Sequence, residues 1–340
     1  MNQVIRLRKA GVLKFPIAAL LAVLAMPIQP AAAWEPTKAV EIVVPAGAGG
    51  ASDQMARLVQ GIVAKHGLMK SPIIVVLKGG SNGADGLMDV KSAKGEPHKL
   101  LIGLSSIYTI PFSSNLPFSW TDLTPVAMVA MDEFLLWVNS DTPYKTAKDY
   151  LDAVKAAPEK FKMGGTGSKR EDHIITSDVE KNWGVKFTYI PYKSGGEAAT
   201  QLVGKHTDSN VNNPSENISQ WRAGQVRALC VFDSERLPLK NKVAGDLAWA
   251  DIPTCKEAGV NVEYLMLRAF FLPSGVSKDQ VAFYENLFKK VTATPEWKEY
   301  MEKNALKQIF LVGAEFENFL KKDEQKHKQA MEAAGFMAKK

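Results

Sequence analysis

From Val40 onward, short β-branched runs alternate with stretches of helical spacing, and that alternation constrains the fold more than any other feature of the chain. VEIVVP, PIIVVL, HKLLIGL, PVAMVAM, FLLWVN, FKMGG, KFTYIP, RALCVF and YLMLRAFFL are of strand length and bounded by turn residues. Between the first two, SDQMARLVQGIVAKHG spaces Met55, Leu58, Val59 and Ile62 along one helical face, a stripe for core packing. Strands separated by helices return parallel, so an α/β fold of parallel sheets with helices packed on them is expected. The chain ends differently: from SKDQVAF to AAGF it reads as three helices with one short strand at KQIFLV, and its Lys/Glu-rich close is a solvated helix face.

A strand runs into a glycine-rich turn and then a helix twice, at VVPAGAGGASD and at FKMGGTGSKREDH. Two such units about 115 residues apart suggest two α/β lobes, with ligand held where the strands' carboxyl ends face each other. The first turn is no nucleotide cradle. A P-loop needs a lysine directly after its last glycine, and none follows Gly50 until Lys65. The dinucleotide pattern is only approximated by Gly47, Gly49 and Ser52, and the next strand ends in Lys78 rather than an acid. What survives is general: consecutive glycines expose amides, and the helix that follows adds a positive dipole end suited to carboxylate, phosphate or sulfate. A turn that merely packs helix on strand stays open beside this reading. Asp53, in the first helical turn, competes for the same donors as a cap, or bonds a ligand hydroxyl or water.

The second turn adds the Thr166 and Ser168 hydroxyls, the Gly165 and Gly167 amides, and the cations Lys169 and Arg170. YIPYKSGGEAATQLV repeats the arrangement with Lys193, Ser194, Gly195 and Gly196, and GLSSIYTIP ends a strand with Ser105, Ser106 and Tyr108. For any one of these serines a satisfied loop hydroxyl is the simpler reading. Together they are donors without a nucleophile's partner: there is no GxSxG elbow, and nothing orients His173 as a base. The chain is not expected to be an enzyme.

Residues 1–33 follow secretory logic, with Arg6, Arg8, Lys9 and Lys14, the apolar run FPIAALLAVLAMPI, and small residues before an expected cleavage near Ala33/Trp34. That 14-residue run, broken by Pro16 and Pro27, falls short of the roughly 20 residues a membrane span needs. Periplasmic export is therefore expected. Without the leader's four cations the net charge of +6, from 42 Lys/Arg against 36 Asp/Glu, falls to +2, which argues against nucleic acid. The remaining 307 residues exceed one ordinary core, again favouring two lobes. Cys230 and Cys255 either pair, as an exported chain permits, or stay buried thiols. The five histidines lack metal-ligand spacing, so neither metal nor cofactor is expected.

VVPAGAGGASDQMAR, LPFSWTDLTPVAMVA, GGTGSKREDH, YIPYKSGGEAATQLVGKHTDSNVNNPSE, AGQVRALCVF and DIPTCKEAGV occur in an order and spacing that resembles one family across the whole mature chain: the periplasmic receptors of tripartite tricarboxylate transporters, also called TctC-like or Bug receptors. The resemblance implies a two-lobed type II periplasmic-binding fold, lobe 1 from residues 34–133 plus 262–340 and lobe 2 from 134–261. It implies a monomer that closes on a small organic di- or tricarboxylate and delivers it to a membrane permease. It carries ligand binding to Gly49, Gly50, Asp53, Ser105 and Ser106 of lobe 1, and to Thr166, Gly167, Ser168, Lys193, Ser194, Gly195, Asn212 and Asn213 of lobe 2. The chain departs from the family pattern at Ala46 and Gly47, at LKGGSNGADG, at the spacing of His173 from Ser168, and at PYKSGG, so ligand identity does not transfer. A same-fold receptor serving an ABC-type transporter and an exported hydrolase remain as alternatives.

Overall fold

The computed structural model describes Met1 and residues 34–339; the expected leader with its cleavage point lies, Met1 apart, outside the described residues. Elements follow in the order β1 (Val40–Val44), α1 (Ala51–Lys65), β2 (Ile73–Leu77), α2 (Ala84–Ser92), β3 (Lys99–Gly103), α3 (Ser106–Ser114), β4 (Leu123–Asp132), β5 (Leu135–Asn139), α4 (Ala147–Ala156), β6 (Lys162–Thr166) and α5 (Glu171–Trp183). Then come β7 (Thr188–Tyr192), α6 (Gly195–Val203), β8 (Ser209–Asn212), α7 (Pro214–Arg222), β9 (Val226–Val231), a small hairpin of β10 (Lys242–Ala244) and β11 (Leu247–Ala248), β12 (Met266–Pro273), α8 (Lys278–Ala293), α9 (Pro295–Lys303), β13 (Lys307–Leu311) and α10 (Gly313–Ala334). The three C-terminal helices and their single strand match the pattern read from the sequence.

Two sheets organise the chain, one of order β13-β4-β12-β3-β1-β2 and one of order β7-β6-β8-β5-β9. The parallel sheets expected from the alternation are half realised. β1 pairs in parallel with β2 and β3, and β6 with β7 and β8, but β12, β4 and β13 join the first sheet antiparallel to their neighbours, and β5 pairs antiparallel with β8 and β9. The cause is the crossing between lobes. β4 ends at Asp132 in one sheet and β5 starts at Leu135 in the other, with no helix between, and the chain returns at Met266. A strand entering this way escapes the crossover rule that makes βαβ strands parallel.

Each sheet is covered on both faces. α1, α8 and α9 bury Met55, Val59, Ile62, Phe288 and Trp297 on one side of the first sheet, and α2, α3 and α10 bury Leu87, Ile107 and Phe316 on the other. Each such side chain contributes about 1.5–3 kcal/mol of burial before ordering costs. α4 and α5 bury Tyr150 and Ile175 on the second sheet, opposite Leu202, Ile218 and Trp221 of α6 and α7. α10 starts in the first core with Phe316 and ends in the second with Met331, so it straddles both lobes. Cys230 of β9 and Cys255 are joined in a buried disulfide, which settles the alternative left open above. β8, Ser-Asn-Val-Asn, escaped the strand reading because it has one apolar residue, although all four are buried at the middle of the second sheet. No described helix is long and apolar enough to cross a membrane.

Candidate functional site

The two glycine turns face each other. Pro45–Gly50 joins β1 to α1, and Gly167–Arg170 joins β6 to α5, with the β7–α6 turn at Lys193–Ser194 beside it. Closure across the gap is direct: Gly47 N–H donates to Lys193 O (2.9 Å), Ser194 Oγ to Ala48 O (2.9 Å), Asn82 Nδ2 to Ser168 O (2.9 Å), and Ser168 N–H to Asn82 Oδ1 (3.1 Å). An added side chain would force a neighbour to shift where the walls meet. A Cβ on Gly167, whose φ is +69°, would lie 2.3 Å from Asn82 Oδ1, and one on Gly195 would lie 2.0 Å from a Glu216 carboxylate oxygen.

Between the turns lies a chamber of only about 30 Å³, room for a couple of waters. Of the expected residues, Gly50, Thr166, Ser194, Gly195 and Asn213 line it. Gly167, Ser168 and Lys193 line an outer cavity of about 470 Å³ on one flank, and Gly49 a cavity of about 660 Å³ on the other. Asp53, Ser105, Ser106 and Asn212 line none of these three spaces. Asn212 is spent inside lobe 2, donating to Gly195 O and Asn217 Oδ1 (both 2.7 Å). The Ser105 and Ser106 hydroxyls are fully buried, with no hydrogen-bond partner among the described residues.

The chamber's charges are Arg170, one of the two cations expected at the second turn, and four residues the sequence did not single out, Glu171, Asp172, Glu216 and Arg268, with Phe134 and Met266 as apolar wall. Arg268, on β12, donates through Nε to Asp132 (2.8 Å), through Nη1 to Ser52 Oγ (2.7 Å) and through Nη2 to Asn213 Oδ1 (3.1 Å). Arg170 bonds Glu171 Oε2 through Nε (3.3 Å) and reaches Asn82 O and Pro45 O through Nη1 (3.4 and 3.5 Å). Burial raises the Asp132 carboxyl even against the pull of Arg268, and raises that of Glu216. It raises Asp172 well above the usual carboxylate range, with the charge of Glu216 adding to it.

Three of the turn amides expected to meet a ligand, and that of Ala51 beside them, are already engaged by the chain's own carboxylates. Gly49 N–H donates to Asp53 Oδ2 (2.9 Å), Ala51 N–H to Glu216 Oε1 (3.0 Å), Lys193 N–H to Glu197 Oε2 (3.0 Å), and Thr166 N–H to Asp172 Oδ2. Asp53 is thus the acid that closes its own turn, and Arg57 Nε pairs with its other oxygen at 2.8 Å. Glu216 had a legible signal: in NNPSE, Asn213, Pro214 and Glu216 stand at the cap, first and third positions of a capping box. Its reach across to α1 had none.

Nucleophilic chemistry has no footing here. Ser168 is exposed at the rim, the His173 Nδ1 accepts the Lys169 N–H (3.1 Å), and the His173 ring lies flat on Tyr189 at 3.9 Å.

The tripartite tricarboxylate transporter family receptor model matches residues 55–336. A Cupriavidus necator protein described as the UPF0065 protein in the gbd 5′ region is 25% identical over 324 residues, covering 93% of this chain and 94% of that one. Among solved structures, a Rhodopseudomonas palustris protein with adipate superposes with a TM-score of 0.82 at 20% identity, covering 89% of this chain and 99% of that one. MatC of the same organism, solved with malate, gives 0.75 at 20% identity over 87% and 99%. The two solved structures share this chain's fold. The chain belongs to the tripartite tricarboxylate transporter receptor family, a group of periplasmic solute-binding proteins rather than enzymes.

Proposed function

We propose that this chain is an exported receptor that closes on a small organic di- or tricarboxylate and delivers it, as a monomer, to the permease of a tripartite transporter. One observation carries the reading: the N-termini of α1 from one lobe and of α6 and α7 from the other converge on a single buried chamber that also holds two arginines. Helix starts and guanidinium forks are the donors that carboxylates select. Relatives of the same fold solved with adipate and with malate support the ligand class.

The lobes are residues 34–133 with 262–340, and 134–261; the leader at 1–33 sends the chain to the periplasm. Ligand enters by opening of the gap, because the chamber of about 30 Å³ is smaller than any dicarboxylate and the flanking cavities of about 470 and 660 Å³ give it approach. Gly50, Thr166, Ser194, Gly195 and Asn213 form the inner contacts, with Gly49, Gly167, Ser168 and Lys193 at the rims. Asp53, Ser105, Ser106 and Asn212 act behind them.

The test is a thermal-shift screen of carboxylates on the protein without residues 1–33. At one hundred times its dissociation constant a ligand adds about 2.7 kcal/mol to stability. A shift with a sugar or a metal ion and with no di- or tricarboxylate would overturn the reading.

A further inference from the structure

Glu216 is placed as no ordinary helix cap is. The glutamate of a capping box has one task, to accept the N–H of its own cap residue, and Glu216 Oε2 does so with Asn213 N–H at 3.1 Å. Its other oxygen leaves the lobe and accepts Ala51 N–H at the start of α1, 165 positions away in the chain, at 3.0 Å. The carboxylate also lies against the start of α6, where a Cβ on Gly195 would meet its three atoms at 2.0–2.3 Å. Three helix N-termini therefore converge on one buried carboxylate, with Arg268 exerting an attractive charge on it. The helices are of 15, 9 and 9 residues, long enough for their dipole ends to count. Glu216 lines both the inner chamber and the flanking cavity of about 660 Å³, so it stands between the two.

A solute carboxylate entering the closed chamber would be drawn to the same place by the same groups. We propose that Glu216 is a specificity-determining residue of the cleft: its carboxylate holds the anion position at the meeting of α1, α6 and α7, and an anionic ligand binds by displacing it. The proposal rests on the carboxylate-receptor reading above. It adds that the receptor is selective against weakly held anions, because each must compete with a resident one of the same chemistry at effectively very high local concentration. Asp172 and Glu171, at the start of α5, line the same chamber, so an incoming anion meets acidic side chains besides Glu216.

The experiment compares the protein without residues 1–33 with its Glu216→Gln and Glu216→Ala variants, by calorimetry at neutral pH, with malate, adipate and citrate and with the neutral diamide of malate. Glu216→Gln keeps the size and one acceptor of the side chain and removes only the charge; Glu216→Ala covers the case in which the amide stays latched. The expected result is that one or both variants bind the anions at least tenfold more tightly, with no such gain for the diamide. Unchanged or weaker anion binding in both variants overturns the proposal while leaving the receptor reading intact. An equal gain for the diamide also overturns it, since Glu216 would then act by shape alone. Absence of binding to all three proteins removes the carboxylate reading itself, and the proposal with it.

Discussion

The two glycine turns are built on one plan and differ in how their acids are compensated. In both, an acid in the first turn of the helix folds back onto a turn amide, Asp53 onto Gly49 and Asp172 onto Thr166. Asp53 also has Arg57 one helical turn on, whose Nε lies 2.8 Å from its other oxygen and whose side chain is half exposed. Asp172 has no such partner among the described residues: it sits fully buried beside Glu171 and near Glu216, and its carboxyl is pushed well up by burial. The first turn is a finished structural device. The second holds a carboxyl whose ionised form is disfavoured where the lobes meet, and groups perturbed in that way tend to mark function rather than packing.

The largest test of this contrast is Arg268→Ala. It strands Asp132 in the interior and should cost about 3–5 kcal/mol in chemical denaturation; a loss under about 1 kcal/mol would mean that charge balance at the chamber decides little. Next is the lobes' unequal covalent support. The Cys230–Cys255 bridge, 25 positions apart, closes a loop within the second core, and its reduction should cost about 3–4 kcal/mol by the chain-entropy argument. The loss should fall on lobe 2, so unfolding under reductant should separate into two transitions.

Asp53→Ala and Asp172→Asn sharpen the comparison directly. The first removes a turn-closing acceptor and should lower stability by about 1 kcal/mol. The second keeps an acceptor for Thr166 N–H and removes a buried charge, so it should raise stability at neutral pH by about 1 kcal/mol. The sign follows from linkage: an acid whose folded pKa is raised is destabilising once the pH lies above its unfolded value. Two losses of equal size would erase the distinction between the turns.

The effect that is smallest at neutral pH, and grows only in acid, is a stability slope at His173. Burial, with a smaller contribution from the charge of Lys169, brings its pKa down from 6.5 to about 4. Between those values the unfolded chain takes up a proton that the folded chain refuses, so this contribution to stability is lost as pH falls from about 6.5 to about 4 and is level below. Stability measured against pH in His173→Phe should lack that part of the wild-type slope.

Most of the fold was legible because its signals are local. β-branched runs, the α1 stripe, and the helices at the chain's end each declare themselves within a dozen residues. β8 was not legible, because a strand buried at a sheet centre by hydrogen-bonding asparagines carries no apolar period. The antiparallel strands were missed for another reason: direction in a sheet depends on where the chain re-enters a lobe, which no window of sequence contains. Among site residues, the turns were found from their glycines, whereas Ser105, Ser106 and Asn212 proved to sit behind the chamber rather than in it.

By itself, the sequence determined that two strand–turn–helix units would present rows of amides, since glycine spacing and helix starts are properties of a few consecutive residues. Only the tertiary structure decided what those amides meet. Glu216 reaches Ala51 and Arg268 reaches Asp132 across 165 and 136 positions, and a buried donor is satisfied by whichever acceptor the packed lobes bring within 3 Å of it.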